Sequence, residues 1–142
     1  MERFGVLMIC FFVCYILVTW VGIAHTIFNI KVLHMKSMKE GPGMGEGYEK
    51  TKPWHPLYNI ILFSIFGFIY MRSLSAPTLT AALAAGAVWS IICILGDLVG
   101  WVLFKHPWRL TFREFYIDYQ PWITLVYIAI FAGPVIGYMF IR

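Results

Sequence analysis

The sequence predicts an all-α integral membrane protein: one domain, residues 1–142, of four transmembrane helices with an amphipathic interfacial helix between spans three and four. Three observations lead there. The chain is 61% hydrophobic and 13% charged, whereas ordinary soluble domains are roughly 45–50% apolar and about 25% charged. A soluble core of this length could not hide so much apolar surface. The mean hydropathy is +0.76. The apolar residues also fall into four runs, each near the roughly 20 residues that cross a bilayer.

The first span is expected over about 4–30. Its apolar run exceeds the roughly 7–15 residues of a signal-peptide core, and no A-x-A site follows, so it is expected to stay in place. The second, about 57–74, is short. Pro56 can open it and Arg72 can snorkel from its far end. The third, about 77–104, follows the tight connection Ser73–Pro77, with Pro77 placed to start a helix. The fourth, about 122–141, contains Pro134, which should kink it and free the carbonyl of Ile130.

The connections differ in character. Residues 40–53, with glycines at 41, 43, 45 and 47, read as a flexible hinge. Glu49 rather than glycine precedes Lys50, so the segment lacks a phosphate-binding loop. Residues 108–120 read as the interfacial helix. Trp108, Phe112, Phe115 and Tyr119 recur at helical spacing, with Arg109, Arg113 and Gln120 on another face. Such a helix lies in the headgroup layer. Trp108, Tyr119 and Trp122 would join the aromatic belt.

Charge sets an expected topology. Lys31, Lys36, Lys39, Lys50, Lys52, Lys105, Arg109 and Arg113 lie in loops one and three; Arg3, Arg72 and Arg142 lie opposite; eight and three make the eleven basic residues. The positive-inside rule puts loops one and three in the cytoplasm and both termini on the other side. The net charge of +4 calls for anionic lipid headgroups as partners, not nucleic acid.

The candidate functional residues are the polar groups inside the spans. Asp97 interrupts an apolar run in Gly96–Gly100, and an aspartate at mid-membrane costs about 2.5–3.5 kcal/mol on insertion scales, so it is usually paired or functional. Counted from Lys105, Asp97 lies about 12 Å below the loop surface; His25, counted from Lys31, lies about 9 Å below it; Tyr127, counted from Trp122, about 8 Å. Asn29 shares a face with His25, and Asn59 enters from span two. His25, Asn29, Asp97 and Tyr127 are therefore expected to gather, with His25 and Asp97 as the pair. His55, His106, Arg109, Arg113 and Asp118 are candidates for headgroup contact. Gly96 and Gly100 in span three, and Gly133 and Gly137 in span four, have the GxxxG spacing of close helix packing. They point to span three as the packed centre of the bundle or a dimer seam, with a homo-oligomer or another membrane protein as partner.

Other chemistry finds little support. His25, His34, His55 and His106 include no i, i+4 pair, so neither metal nor cofactor is expected. Cys10 and Cys14 are not a C-x-x-C motif, and with Cys93 they read as packing residues. Ser64 and Ser90 lack a nucleophile elbow. Three classes of function remain. The first is an accessory or assembly subunit of a membrane complex. The second is a dimeric proton- or cation-coupled transporter using His25 and Asp97. The third is a lipid- or isoprenoid-modifying enzyme at the cytoplasmic interface.

Overall fold

The computed structural model describes residues 3–37, 40, 45–107 and 109–141. Trp108, Lys39, Gly41, Gly43 and Arg142, which entered the sequence reading, lie outside them. The described residues form helices α1 (Phe4–Lys31), α2 (Glu46–Thr51), α3 (His55–Ser73), α4 (Leu79–Asp97), α5 (Phe112–Tyr116) and α6 (Trp122–Met139). A 3₁₀ turn, Lys52–Trp54, fuses α2 to α3, and a π-helical segment, Leu98–Leu103, extends α4. Four rods result: Phe4–Lys31, Glu46–Ser73, Leu79–Leu103 and Trp122–Met139. Each is long and apolar enough to cross a membrane. The C-terminus of α1, the α2 turn, the π segment, α5 and the start of α6 share one end of the bundle, here the loop end.

The second rod is longer than expected. Residues 46–54 are helical, so much of the anticipated 40–53 hinge belongs to the rod. Two of its glycines explain this. Gly45 sits at φ 84°, a conformation that L side chains rarely adopt. Gly47 is buried so closely on α1 that a Cβ would lie 2.7 Å from Ile30. Asn29 and Thr26 then hold the contact. Asn29 Nδ2 donates to the Gly47 carbonyl (3.0 Å) and to Thr51 Oγ1 (3.1 Å), and Thr26 Oγ1 reaches Thr51 Oγ1 at 3.1 Å. Composition suggested a flexible segment, but packing against a polar face of α1 orders residues 46–54.

The packed centre is α6 rather than the third rod. It lies between α3 and α4. A Cβ on Gly133 would stand 2.6 Å from Phe63, and one on Gly137 2.6 Å from the Gly67 backbone. Gly67 in turn faces Pro134, and Gly86 of α4 faces the Phe131 carbonyl. Helix backbones therefore touch where side chains would otherwise separate them. Pro134 is accommodated within α6 because Gly67 leaves room for its ring. Away from the loop end the core is aromatic: Phe11, Phe63, Tyr70 and the fully buried Trp89, whose Nε1 donates to the Leu7 carbonyl at 3.1 Å. Large apolar side chains such as Ile9, Phe12, Ile65 and Ile91 point outward, the distribution expected where lipid rather than water surrounds the bundle.

Among the described residues, the helix of the 108–120 stretch is shorter than expected. α5 has five residues, started by a capping box in which Thr111 and Glu114 satisfy each other's backbone N–H. Leu110 and Tyr119 are buried beside it against Val102 and Ile123. The helical spacing of aromatics therefore reports a small folded cap over the loop end, not one continuous amphipathic helix.

Candidate functional site: a cleft floored by Asp97

A cleft of about 460 Å³ opens inside the bundle at its loop end. It is lined from α1 by residues as far apart as Tyr15 and Lys31. Sixteen residues separate them, so the cleft follows about 24 Å of helix. Its walls are largely aliphatic, among them Val18, Ile23, Ile27, Ile123 and Val126. Asp97, Tyr15 and Cys93 form the deep end; Lys31 and Ser37 lie at the rim; His55, Asn59, Tyr48 and Tyr119 stand between.

Asp97 is buried, and three neutral donors from three helices hold its carboxylate. Tyr15 Oη of α1 donates to Oδ1 at 2.7 Å. Tyr127 Oη of α6 donates to Oδ2 at 3.1 Å, and Cys93 Sγ, one turn back on α4, approaches the same oxygen at 3.5 Å. None of the ion pairs of the described residues includes Asp97. The local chain contributes as well. The π segment begins at the next residue, and π turns re-aim side chains within a helix. This one leaves Trp101 in the cleft wall. Its terminal carbonyls need new partners and find them. His106 Nε2 donates to Gly100 O at 2.9 Å, the Leu110 N–H to Trp101 O at 2.9 Å, and Arg109 Nε to Val102 O at 2.7 Å.

Halfway up the cleft, His55 Nδ1 is hydrogen-bonded to the Tyr119 hydroxyl. The other ring nitrogen, Nε2, is buried without a hydrogen-bond partner among the described residues, packed on Gly22 of α1. Asn59 Nδ2 donates to the His55 carbonyl at 2.8 Å. Burial pushes the Tyr119 phenol well above its usual range, so it stays protonated. Buried Lys52 packs over the Tyr119 and Tyr48 rings while its ammonium reaches Glu49 at 2.8 Å.

The expected gathering of polar residues occurs only in part. Asp97 and Tyr127 meet. His25 does not join them: its Nδ1 is bonded to the Tyr58 hydroxyl, and its ring lies on Trp54 and Tyr58. The reason is register. Asp97 is level with Tyr15, and His25 is ten residues, about 15 Å, farther along α1. Depths counted separately from Lys31 and Lys105 treated two unequal loop ends as one plane. Asn29 serves the α1–α2 clamp instead.

The headgroup candidates are scattered too. His55 is inside the cleft, and His106 and Arg109 cap the π segment. Arg113 and Asp118 remain on the surface, 3.6 Å apart. Gly96 and Gly100 face open space: a Cβ at either would meet nothing within 4 Å. Sequence reasoning passed over Tyr15, the donor closest to Asp97, because a tyrosine in an apolar run looks like ordinary packing. Its position one turn after Phe11 signals only that it shares a buried face.

Fold and site together define the class: an all-helical bundle, with four helices suited to crossing a membrane, around a long apolar cleft with a carboxylate at its floor. No protein-family model, curated protein or solved structure matches the chain.

Proposed function

We propose that this chain is a small membrane carrier whose cleft takes a largely apolar molecule bearing one positive charge, in exchange for a proton on Asp97. The observation that carries the reading is the lone carboxylate at the floor of an apolar cleft. Buried charge in low dielectric must be matched by a countercharge or neutralised. Here the oriented donors are all neutral, and among the described residues no ion pair reaches Asp97. A proton can fill that role, and so can the cationic group of a ligand. The volume suits a small molecule, since ligand pockets run from about 300 to 1,000 Å³. An assembly subunit needs no such cleft, and an enzyme would want a nucleophile or a second acid beside the first.

On this reading His25 is no longer the partner of Asp97, and the bundle sits in the bilayer with loops one and three in the cytoplasm. The cleft then opens toward the cytoplasmic headgroups, where Lys31 lines its rim.

The test is binding of tetraphenylphosphonium to purified protein in mild detergent, by equilibrium dialysis, with released protons followed by a pH dye. The wild type should bind with release of about one proton per cation. Asp97→Asn should weaken binding by about 30-fold or more, the scale of losing a buried charge contact of ~2 kcal/mol, and release no proton. Equal affinity in the two proteins would sink the reading.

A further inference from the structure

The walls of the cleft are closed to different degrees. On one side α1 is sealed against the second rod. Gly22 lies on the His55 ring, where a Cβ would stand 3.1 Å from Nε2. Farther along α1, Thr26 and Asn29 clamp it to Gly47 and Thr51. The loop end is roofed. The Tyr119 ring packs edge-on against Tyr48 of α2 and Phe115 of α5, and its hydroxyl is bonded to His55.

The side toward the third rod differs. There α1 is tied to α4 by Trp89 on the Leu7 carbonyl and by Tyr15 on Asp97, and the second tie is the cleft floor. Tyr15, Thr19, Ile23 and Ile27 form one i, i+4 stripe of α1, and all four line the cleft. The stripe starts on Asp97, is half-buried at Thr19 and Ile23, and is 52% exposed at Ile27. Facing the cleft does not by itself expose a side chain. Val18 of α1 and Val126 of α6 line the same cleft and are buried. The stripe is therefore the lip of a slit. Trp101 of the π segment, half-buried and also lining the cleft, stands on the side of the third rod. Thr19 and Lys31 at the rim are twelve residues apart, about 18 Å of helix. Half of a bilayer's hydrocarbon core is about 15 Å thick. The slit thus matches one leaflet in length and has isoleucine on its lip.

We infer that the cleft takes its ligand sideways from the loop-side leaflet, through the slit between α1 and the third rod, so that the ligand is an amphiphilic cation dissolved in the membrane. The inference rests on the carrier reading above. Between acyl chains and an apolar cleft, the body of such a ligand never leaves apolar surroundings. Its charge gives up the headgroups and meets Asp97 at the foot of the slit, which limits the cost of burying it. Entry through the roof would instead part Tyr119 from His55 and Tyr48. The charge of Lys31 at the rim opposes a cation arriving there from water.

The slit is tested in lipid nanodiscs by two readouts. The first needs no ligand. Trp101 emission, taken as the difference between wild type and Trp101→Phe, should be largely lost in lipids brominated along the acyl chain and spared by iodide in water. Iodide quenching without bromolipid quenching overturns the inference. The second readout is the rate of tetraphenylphosphonium binding, followed by the released proton in stopped flow. Ile23→Trp fills the lip without touching Asp97. It should slow binding at least about tenfold, within the one to three decades by which on-rates vary among variants of one site. Affinity should change little, since the slit is crossed in both directions. Ile27→Trp, at an exposed position, should slow binding too and serves where Ile23→Trp does not fold. Ser37→Trp, at the rim, should bind at the wild-type rate. Wild-type rates in the folded isoleucine variants, or slow binding in Ser37→Trp alone, overturn lateral entry even where the cation binds. A wild type that binds no cation while bromolipid quenches Trp101 removes the carrier reading and keeps the slit as an opening to the leaflet.

Discussion

Two stretches of this chain carry the same spacing and meet opposite fates. Gly133 and Gly137 lie against the backbone of α3, where a Cβ on either would come within 3 Å of atoms of Phe63, Gly67 or Phe68. Gly96 and Gly100 look outward, with nothing within 4 Å of where a Cβ would stand. The motif is therefore a permission to approach. It becomes a contact only where the facing helix presents a matching flat surface, as α3 does through Gly67. In the third rod the small residue that serves this purpose is Gly86, which faces the Phe131 carbonyl and belongs to no GxxxG pair. The outward pair sits beside Asp97 and in the π segment, so glycine there leaves the helix free to change its turn.

Substitutions can break or sharpen this contrast. The largest effect is expected from Gly137→Leu. Its side chain has no space between α6 and α3, and the variant should lose more than about 3 kcal/mol, the upper range for overpacking a core. In a thermal melt in detergent it should show no cooperative transition near that of the wild type. Gly86→Ala is milder. A single methyl forced onto the Phe131 carbonyl should cost about 1–3 kcal/mol, read as a lower melting temperature. A wild-type melt for both would mean that α6 does not pack as described. Gly96→Ala and Gly100→Ala belong at the other end: alanine favours helix over glycine by at most about 1 kcal/mol, so neither should melt below the wild type. Gly96→Leu extends the test to assembly. Its fold should be retained, and a smaller particle mass with the melt intact would reveal a dimer seam on that face.

Asp97 shows where reading the chain alone stops. That a carboxylate in an apolar run must be engaged follows from solvation energy, and it is engaged. The identity of its partners required helix register. His25 looked level with Asp97 because each was measured from its own loop. Helix α1 in fact passes the site at Tyr15. Tyr127 could be expected at the site because its distance from the same bundle end was short and unambiguous. His55, next to the Pro56 expected to open span two, was among the headgroup candidates. The unexpected helical turn at 46–54 carries it into the cleft instead.

The sequence alone determined what local chemistry controls. Four apolar runs had to become helices, since a backbone in an apolar setting satisfies its N–H and C=O groups within the helix. Thr78 caps α4 through the Ala81 N–H, one residue past the proline expected to open it. Thr111 and Glu114 close the box that starts α5. Tertiary structure alone decided which faces meet and at what height. The rise of a helix is fixed at 1.5 Å per residue, but its rotation and its slide along a neighbour are set by packing summed over many distant residues. Those two quantities put Tyr15 rather than His25 on Asp97, and turned one pair of glycines inward and the other out.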